Sequence, residues 1–297
     1  MTALQPEQVA AVVVLYRPGT DTVFNLSSYA AGFGRVWAID NSEEPDARIV
    51  AAISGIPGVE YVPMHGNSGI GAALNAGVER ARDAGFAWVL TLDQDSAPDT
   101  RMLYELSRCA SSCAETREVG LVSPMLRLDN GPEEAGFDGC RDALTTITSG
   151  SLLSVSAWEQ IGGFDEDLFI DQVDHDLCLR LHLHSLAVLE CGSAWLVHRM
   201  GEMRKRRLLG PVYVSNHSAL RRYYITRNRL AVSHRYRASF PQFRAREMSA
   251  MRHELLKVML LEDHKAAKLA MSWRGYRDYR RGVTGPYPGP VERATHA

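Results

Sequence analysis

Two carboxylates one residue apart stand at the end of an apolar run in Thr91-Leu92-Asp93-Gln94-Asp95-Ser96. Asp93 and Asp95 could share a divalent cation that is also held by a diphosphate. Hard cations such as Mg²⁺ take oxygen ligands and commonly bind one or two carboxylates plus substrate phosphates. A D-x-D of this kind also occurs as an ordinary helix-capping turn, so its position in the fold decides its meaning. A second acidic group lies in Gly163-Phe164-Asp165-Glu166-Asp167-Leu168-Phe169-Ile170-Asp171-Gln172-Val173-Asp174-His175-Asp176. Asp171, Asp174 and Asp176 crowd the start of an expected helix, where negative charge is favourable and one acid can cap. Capping accounts for one or two of them. Like charges this close raise one another's pKa, and such a carboxylate can act as general base on a hydroxyl.

Three further features bear on ligands. In His65-Gly66-Asn67-Ser68-Gly69-Ile70-Gly71-Ala72-Ala73-Leu74-Asn75 a G-x-G opens an Ala-rich helix, letting backbone approach a ligand at a helix N-terminus. It is not a dinucleotide fingerprint, because Leu74 stands where the third glycine would be. The alternative is a tight turn with Asn67 as cap and small residues for packing. His198 follows the apolar triplet Trp195-Leu196-Val197, a setting more often structural than ligating. The basic runs Arg204–Arg207 and Arg221–Arg229 could meet phosphate, since Arg pairs with it bidentately, although a solvated helix face is the default for such runs.

The elements that must position these residues alternate. Strands are expected at Val9–Tyr16, Arg35–Asp40, Val59–Pro63, Phe86–Leu92 and Val119–Pro124. Helices are expected at Thr22–Ala31, Asp46–Ser54, Gly69–Ala84 and Pro98–Arg117. Such alternation predicts right-handed crossovers and a mostly parallel α/β sheet with helices on both faces. Ligands then bind beyond the carboxyl ends of the strands. Arg17, Asp40, Asn67, Asp93 and Asp95 all follow strands in this reading. Further on, Thr145–Val155 reads as extended, Ala157–Gly162 and Val173–His184 as helices, and Ala187–Glu190 as a strand. Helices dominate from His217 to about Arg281, with an amphipathic run over Arg246–Leu261.

Composition narrows the class. The chain has 297 residues, 45% hydrophobic and 23% charged, which fits a globular protein of one large or two small domains. Its start reads as a buried strand rather than a signal peptide, and no stretch approaches the roughly 20 apolar residues of a membrane span. Five cysteines without a C-x-x-C pair point to a reducing, cytoplasmic setting. Residues 1–198 hold 11 Lys/Arg and 28 Asp/Glu, whereas residues 199–297 hold 22 and 7. Segregation this strong suggests a phosphate-bearing or anionic-membrane partner for the basic part, or simply the acidic part itself.

Taken in order, VVVLYRPG, AIDNSEE, NSGIGAALNAG, VLTLDQDSAP, SGSLLSVSAWEQIGGFDEDLFIDQVDHDLCLR, LVHRMGE and RRYYITRNR resemble glycosyltransferase family 2 over residues 9–230. Within it, DQDS, FIDQVDHD and RRYYITRN are similar to the bacterial rhamnosyltransferases that use dTDP-L-rhamnose. The resemblance implies a GT-A fold, a Rossmann-like nucleotide-diphospho-sugar transferase. Residues 1–200 would form its catalytic domain, with a nucleotide-sugar half (1–125) and an acceptor half (126–200). Residues 201–297 would form a basic, mainly helical extension. It further implies nucleotide contacts at Tyr16, Arg17, Asp40, Asn67, Gly69, Asn75 and Asp93, and a Mg²⁺ or Mn²⁺ ion at Asp95 with Asp93 and His198. The family's general base falls on Asp174, but Val173 replaces the glutamate that many relatives carry before it. Asp171 and Asp176 therefore stay open as bases.

The expected reaction is an inverting transfer of a sugar, L-rhamnose by resemblance, to a hydroxyl of a saccharide or lipid-linked acceptor in cell-surface glycan assembly. The expected enzyme is cytoplasmic, able to sit at the inner, anionic face of the membrane, and has no nucleic-acid partner. Rival readings are a UDP-sugar donor, a nucleotidyltransferase and a non-catalytic nucleotide-sugar-binding protein. Against the second stands the lack of a Gly-rich basic loop after the first strand, where Arg17 is the lone basic residue.

Overall fold

The run Val-Ala-Ala-Val-Val-Val-Leu makes β1 (Val9–Leu15), in which six of the seven residues are buried. A strand apolar on both sides must be covered on both faces. In this computed structural model, which describes residues 4–98, 100–128, 136–198, 204–207, 211–214 and 216–289, that is how β1 is used. Its odd positions, Val9, Ala11, Val13 and Leu15, join a core cluster with Leu26 of α1 (Thr20–Tyr29) and Leu103 and Leu106 of α4 (Thr100–Cys113). Its even position Val12 faces α3 (Ile70–Asp83). There a Cβ on Gly77 would lie 2.3 Å from Val12 Cγ1, so only glycine lets the helix lie this close.

The remaining strands of the sheet are β2 (Arg35–Asp40), β3 (Val59–Pro63), β4 (Trp88–Asp93), β5 (Val119–Leu128), β6 (Cys140–Asp142), β7 (Ser151–Ser154) and β8 (Ala187–His198). Their order is β3-β2-β1-β4-β7-β5-β8-β6. The first four are mutually parallel, β7 is antiparallel to both neighbours, β5 pairs β8 in parallel, and β6 is an antiparallel edge. The sheet is thus parallel where β1–β4 lie and mixed beyond. Helices α2 (Ala47–Ser54), α5 (Val155–Gln160) and α6 (Val173–Leu183) complete this part.

Several boundaries differ from the sequence reading for local reasons. Asp46 is the cap of α2 rather than its first residue, its carboxylate accepting from Arg48 N–H. Strand β8 runs eight residues past Glu190, because its second half pairs with the second half of β5 across a bulge. Cys109 and Cys140 are joined by a disulfide, whereas the cysteine pattern pointed to a reducing setting. The pairing of β6 with β8 brings together two residues 31 apart in sequence, which no local spacing reveals.

The chain divides into two compact units, Met1–Glu166 with Val173–Arg199, and Asp167–Gln172 with Met200–Ala297. The second contains a ribbon, β9 (Arg204–Arg207) paired antiparallel with β10 (Pro211–Val214). Three helices follow: α7 (Ala219–Arg235), α8 (Pro241–Leu261) and α9 (Lys265–Arg280). The basic run 204–207 is therefore a strand, and its side chains lie outside the described residues.

Segment 167–172, expected within the catalytic half, groups with these helices, and the residues of the second basic run explain why. Arg222 and Arg227 are 4% and 1% exposed. Arg222 pairs with Glu254 and Glu262, and Lys268 pairs with Glu262. Arg229 pairs with Glu247 and Glu254. Neither a solvated face nor a phosphate cradle describes this run. Arg222, Arg229 and Lys268 are thus paired inside the unit itself, by acids that sequence spacing does not place.

Candidate active site

Four loops carry the polar residues singled out above, and they follow the parallel strands β1, β2, β3 and β4 at their carboxyl ends. Strand β1 is followed by Tyr16 and Arg17. Tyr16 N–H donates to Gln94 Oε1 at 2.8 Å and its hydroxyl donates to Glu43 Oε1 at 3.1 Å. Arg17 adopts φ 50°, with its N–H on Ser42 Oγ at 2.7 Å and its guanidinium 3.3 Å from Glu43. Burial and then the Glu43 carboxylate push the Tyr16 phenol above its ordinary pKa. Burial alone would raise Glu43, but its own backbone N–H, Tyr16 and Arg17 together hold its carboxyl below the usual range. Tyr16, 39% exposed, presents an aromatic face beside a cation, Arg17 standing 5.1 Å from the ring centroid.

After β2 comes the Asp40–Ser42 turn. Asp40 is fully buried: Oδ1 accepts from Ser42 N–H at 2.9 Å and from its hydroxyl, and Oδ2 accepts from Tyr61 at 2.7 Å. Its carboxylate holds the turn to Ser42 and ties it to Tyr61 of β3. The neighbouring Asn41 reaches the next loop, donating to Asn67 Oδ1 at 3.1 Å and accepting from Ser68 N–H at 2.8 Å. Asn67 Oδ1 also accepts from Gly69 N–H at 3.1 Å, and Gly69 has φ 87° at the mouth of α3. Asn67 and Gly69 thus shape a backbone loop in front of a helix start, a place suited to anionic groups.

Asn75, expected to line the nucleotide pocket, is 8% exposed and bonded at both ends of its amide. It accepts from Trp158 Nε1 at 3.0 Å and Phe164 N–H at 2.8 Å, and donates to Phe164 O and Glu166 Oε1. It anchors the Gly162–Glu166 turn against α3. Gly71 serves the same contact, since a Cβ there would meet Asp165 O at 3.0 Å.

Asp93 ends β4 half-buried, and Asp95 is exposed two residues on. The loop Thr145–Gly150 holds this end. Asp93 N–H donates to Ser149 Oγ at 3.1 Å, Ser149 Oγ and Ser96 Oγ lie 2.9 Å apart, and Thr91 donates to Thr148 O at 2.5 Å. The same loop meets α6, where Cys178 Sγ donates to Thr146 O at 3.9 Å. Burial pushes that thiol up to about 12, so it stays a neutral donor. Cys178 is one turn from Asp174. One hydroxyl-rich loop therefore ties the D-x-D strand end to the helix that carries the expected base. Sequence reading saw this segment only as extended and Ser/Thr-bearing. A shallow cleft lined by Ala87, Trp88, Arg117 and Ser156 opens instead at the opposite rim, where β4 and β5 begin.

The three candidate bases now separate. Asp176 is fully buried and paired with Arg180 at 2.7 Å, whose guanidinium also donates to Ile161 O and Gly163 O. It builds the fold. Asp174 lies half-buried in the first turn of α6, Oδ1 accepting from His175 N–H at 2.8 Å, with no ion pair among the described residues. Asp171 belongs to the second unit and lies 3.2 Å from Arg221. His198 closes β8, but its side chain lies outside the described residues.

The segment before α6 is strained. Phe169, Asp171 and Gln172 have φ of 65°, 64° and 70°, values that non-glycine residues avoid. It persists because α7 grips its carbonyls. Asn228 Nδ2 donates to Leu168 O and Ile170 O at 2.6 Å and to Asp171 O at 3.2 Å, while Arg227 donates to Leu168 O at 3.2 Å. Phe169 stacks on Tyr224, centroids 5.1 Å apart. Asn228→Ala leaves buried carbonyls unpaired, so urea denaturation should show a loss of about 1–3 kcal/mol. A change of only a few tenths would mean that the segment keeps its shape without this clamp.

The model of Glycosyl transferase family 2 matches residues 35–110. The chain is 28% identical over 238 residues to the dTDP-rhamnosyl transferase RfbF of Shigella flexneri, covering 74% of this chain and 78% of the relative. Among solved structures it is similar to residues 1–349 of S. aureus TarS in complex with UDP-GlcNAc. That match has TM-score 0.61 and 14% identity, over 93% of this chain and 81% of the other. It is also similar to GalNAc-T7 with UDP, GalNAc and Mn²⁺, with TM-score 0.54 and 13% identity, over 80% and 51%. The chain thus has a GT-A-like fold, matches the family 2 glycosyl transferase model over residues 35–110, and is similar over most of its length to a dTDP-rhamnosyl transferase.

Proposed function

We propose that the protein is an inverting, metal-dependent rhamnosyltransferase. It moves L-rhamnose from dTDP-L-rhamnose to a hydroxyl of a saccharide or lipid-linked acceptor. One observation carries the catalytic part: the Thr145–Gly150 loop bonds both to the end of β4, with Asp93 and Asp95, and to α6, whose first turn holds Asp174. The donor assignment rests on the similarity to the Shigella flexneri dTDP-rhamnosyl transferase.

In this reading Tyr16, Asn67 and Gly69 receive the nucleotide, Tyr16 by its exposed ring and the Asn67–Gly69 loop by backbone N–H groups at a helix start. Asp93 and Asp95 offer hard oxygen donors on one short turn, one half-buried and one exposed, which suits Mg²⁺ or Mn²⁺ shared with phosphate oxygens. When bound, such an ion supplies positive charge to the diphosphate leaving group. Asp174 accepts the proton of the acceptor hydroxyl as that oxygen attacks the anomeric carbon from the face opposite the diphosphate. A single displacement needs one base and no enzyme nucleophile, hence inversion. Arg180 neutralises Asp176, which leaves Asp174 as the carboxylate of α6 available for this role.

Asp174→Asn should lower kcat by about 10²–10⁴ while leaving dTDP affinity nearly unchanged. Asp95→Ala should instead weaken dTDP binding in Mn²⁺ and abolish the metal's contribution. Steady-state kinetics with dTDP-rhamnose and calorimetry with dTDP separate the two. Full activity in the Asp174 variant contradicts the assignment, and equal dTDP affinity with and without metal contradicts the role of Asp95. A thermal-shift series of nucleotide-sugars decides the donor, since selective stabilisation by a UDP-sugar excludes rhamnose.

A place at the anionic membrane face is supported by α8. Leu256, Met259 and Leu260 share one helical face and are 49%, 45% and 59% exposed, with exposed Arg252 and Lys257 nearby. Among the described residues no helix is long and apolar enough to cross a membrane. Co-sedimentation with vesicles rich in anionic lipid should fall several-fold in Leu256→Ser/Leu260→Ser. Unchanged binding counts against this docking face.

A further inference from the structure

Four of the five cysteines gather where α4 meets the far part of the sheet, a place with no role in the chemistry above. Cys109 and Cys113 are four residues apart on α4 and so lie on one helical face. Cys140 lies on the edge strand β6, opposite Cys191 of β8 in the ladder. Cys191 is turned away: its thiol donates to Glu105 O at 3.6 Å and lies 3.5 Å from Ser193 Oγ. The other three sulfurs lie within 4.8 Å of one another, one buried and two half-buried. Among the described residues, no other group of three or more His, Cys, Asp or Glu side chains converges this way.

A bridge can join only two of three sulfurs. In the structure it joins Cys109 to Cys140 and leaves Cys113 as a free thiol beside them. All three are used at once only by a ligand that accepts three thiolates. Zinc-class ions bind sulfur at about 2.3 Å, so two thiolates on one ion can be at most ~4.6 Å apart. The three sulfurs therefore need only small side-chain rotations, once the bridge is opened, to enclose one ion. Soft thiolate donors select Zn²⁺ over Mg²⁺ or Mn²⁺, and the half-burial of Cys113 and Cys140 leaves a path of entry. The position is also separate from the carboxylate rim. The loop after Asp95 leads to Thr100 at the start of α4, whereas Cys113 ends it, about 20 Å along the axis at 1.5 Å per residue.

We infer that Cys109, Cys113 and Cys140 form a structural thiolate site for one zinc-class ion, which fastens the end of α4 to β6. The bridge is the oxidised form of the same site. A dithiol reduces it, becoming a cyclic disulfide itself and returning two protein thiols. Binding of the ion then releases one proton from each of the three thiols, and a water or an external thiol completes four-coordination.

The test uses the full chain, reduced with a phosphine, freed of metal and titrated with Co²⁺ in excess Mg²⁺. Magnesium saturates carboxylate sites, and only thiolate ligation gives a sulfur-to-cobalt charge-transfer band, so the outcome is independent of the proposed Asp95 ion. The expected result is one equivalent of Co²⁺ with that band, displaced by Zn²⁺, and an affinity lower by roughly tenfold or more in Cys113→Ser. Cys113 is half-buried at a helix end, so circular dichroism should confirm that this variant folds. No charge-transfer band in the reduced wild type overturns the inference, as does a band of undiminished strength in both Cys113→Ser and Cys140→Ser.

Discussion

A buried backbone amide must find a partner, and at the end of β4 the partner of Asp93 N–H is the hydroxyl of Ser149. The candidate site depends on this bond and its neighbours. Strand β7, which follows Ser149, runs antiparallel to β4, so the loop before it must return to the carboxyl end of β4. Its Ser149 hydroxyl then bonds Asp93 N–H and Ser96, its Thr148 carbonyl receives the hydroxyl of Thr91, and its Thr146 carbonyl receives the thiol of Cys178 on α6. One loop of small polar residues thus bonds both the strand that ends in Asp93 and the helix that carries Asp174.

The second unit solves a different problem. It keeps Arg222, Arg227, Arg229 and Lys268 largely out of water, which is tolerable only when each has acceptors in good geometry. Glu247, Glu254 and Glu262 supply them for three, while Arg227 is spent on the backbone of segment 167–172 together with Asn228. Two residues of the run once read for phosphate thus hold three left-handed residues in place. The strain is local, and it lies immediately before the helix that carries Asp174.

Much of this fold was legible in the sequence. Arg35–Asp40 and Val59–Pro63 match their strands end to end, because each is a short, mainly apolar run bounded by turn residues. Strand β6 was missed, being three residues of Cys-Arg-Asp at an edge, with no period to detect. Strand β9 was hidden as a charge run. Within the site, Tyr16, Asn67, Gly69, Asp93 and Asp95 fall on the strand-end loops as the alternation required. The burial of Asp40 and Asn75 could not be read there, since their partners Tyr61, Trp158 and Phe164 lie 21 to 89 residues away. Burial of a polar side chain is a non-local fact, and spacing alone carries no sign of it. Resemblance supplied the function class and the ordering of candidate bases; the structure demoted Asp176 through its pairing with Arg180.

The central claim is that one turn of carboxylates after β4 holds a cation against a nucleoside diphosphate on the same rim as Asp174. Anomalous diffraction from crystals grown with dTDP and Mn²⁺ locates that cation directly. A single strong manganese peak within coordinating distance of Asp95 and the diphosphate is expected, with Asp174 on the acceptor side. A peak elsewhere, or dTDP bound in order with no manganese beside it, contradicts the account.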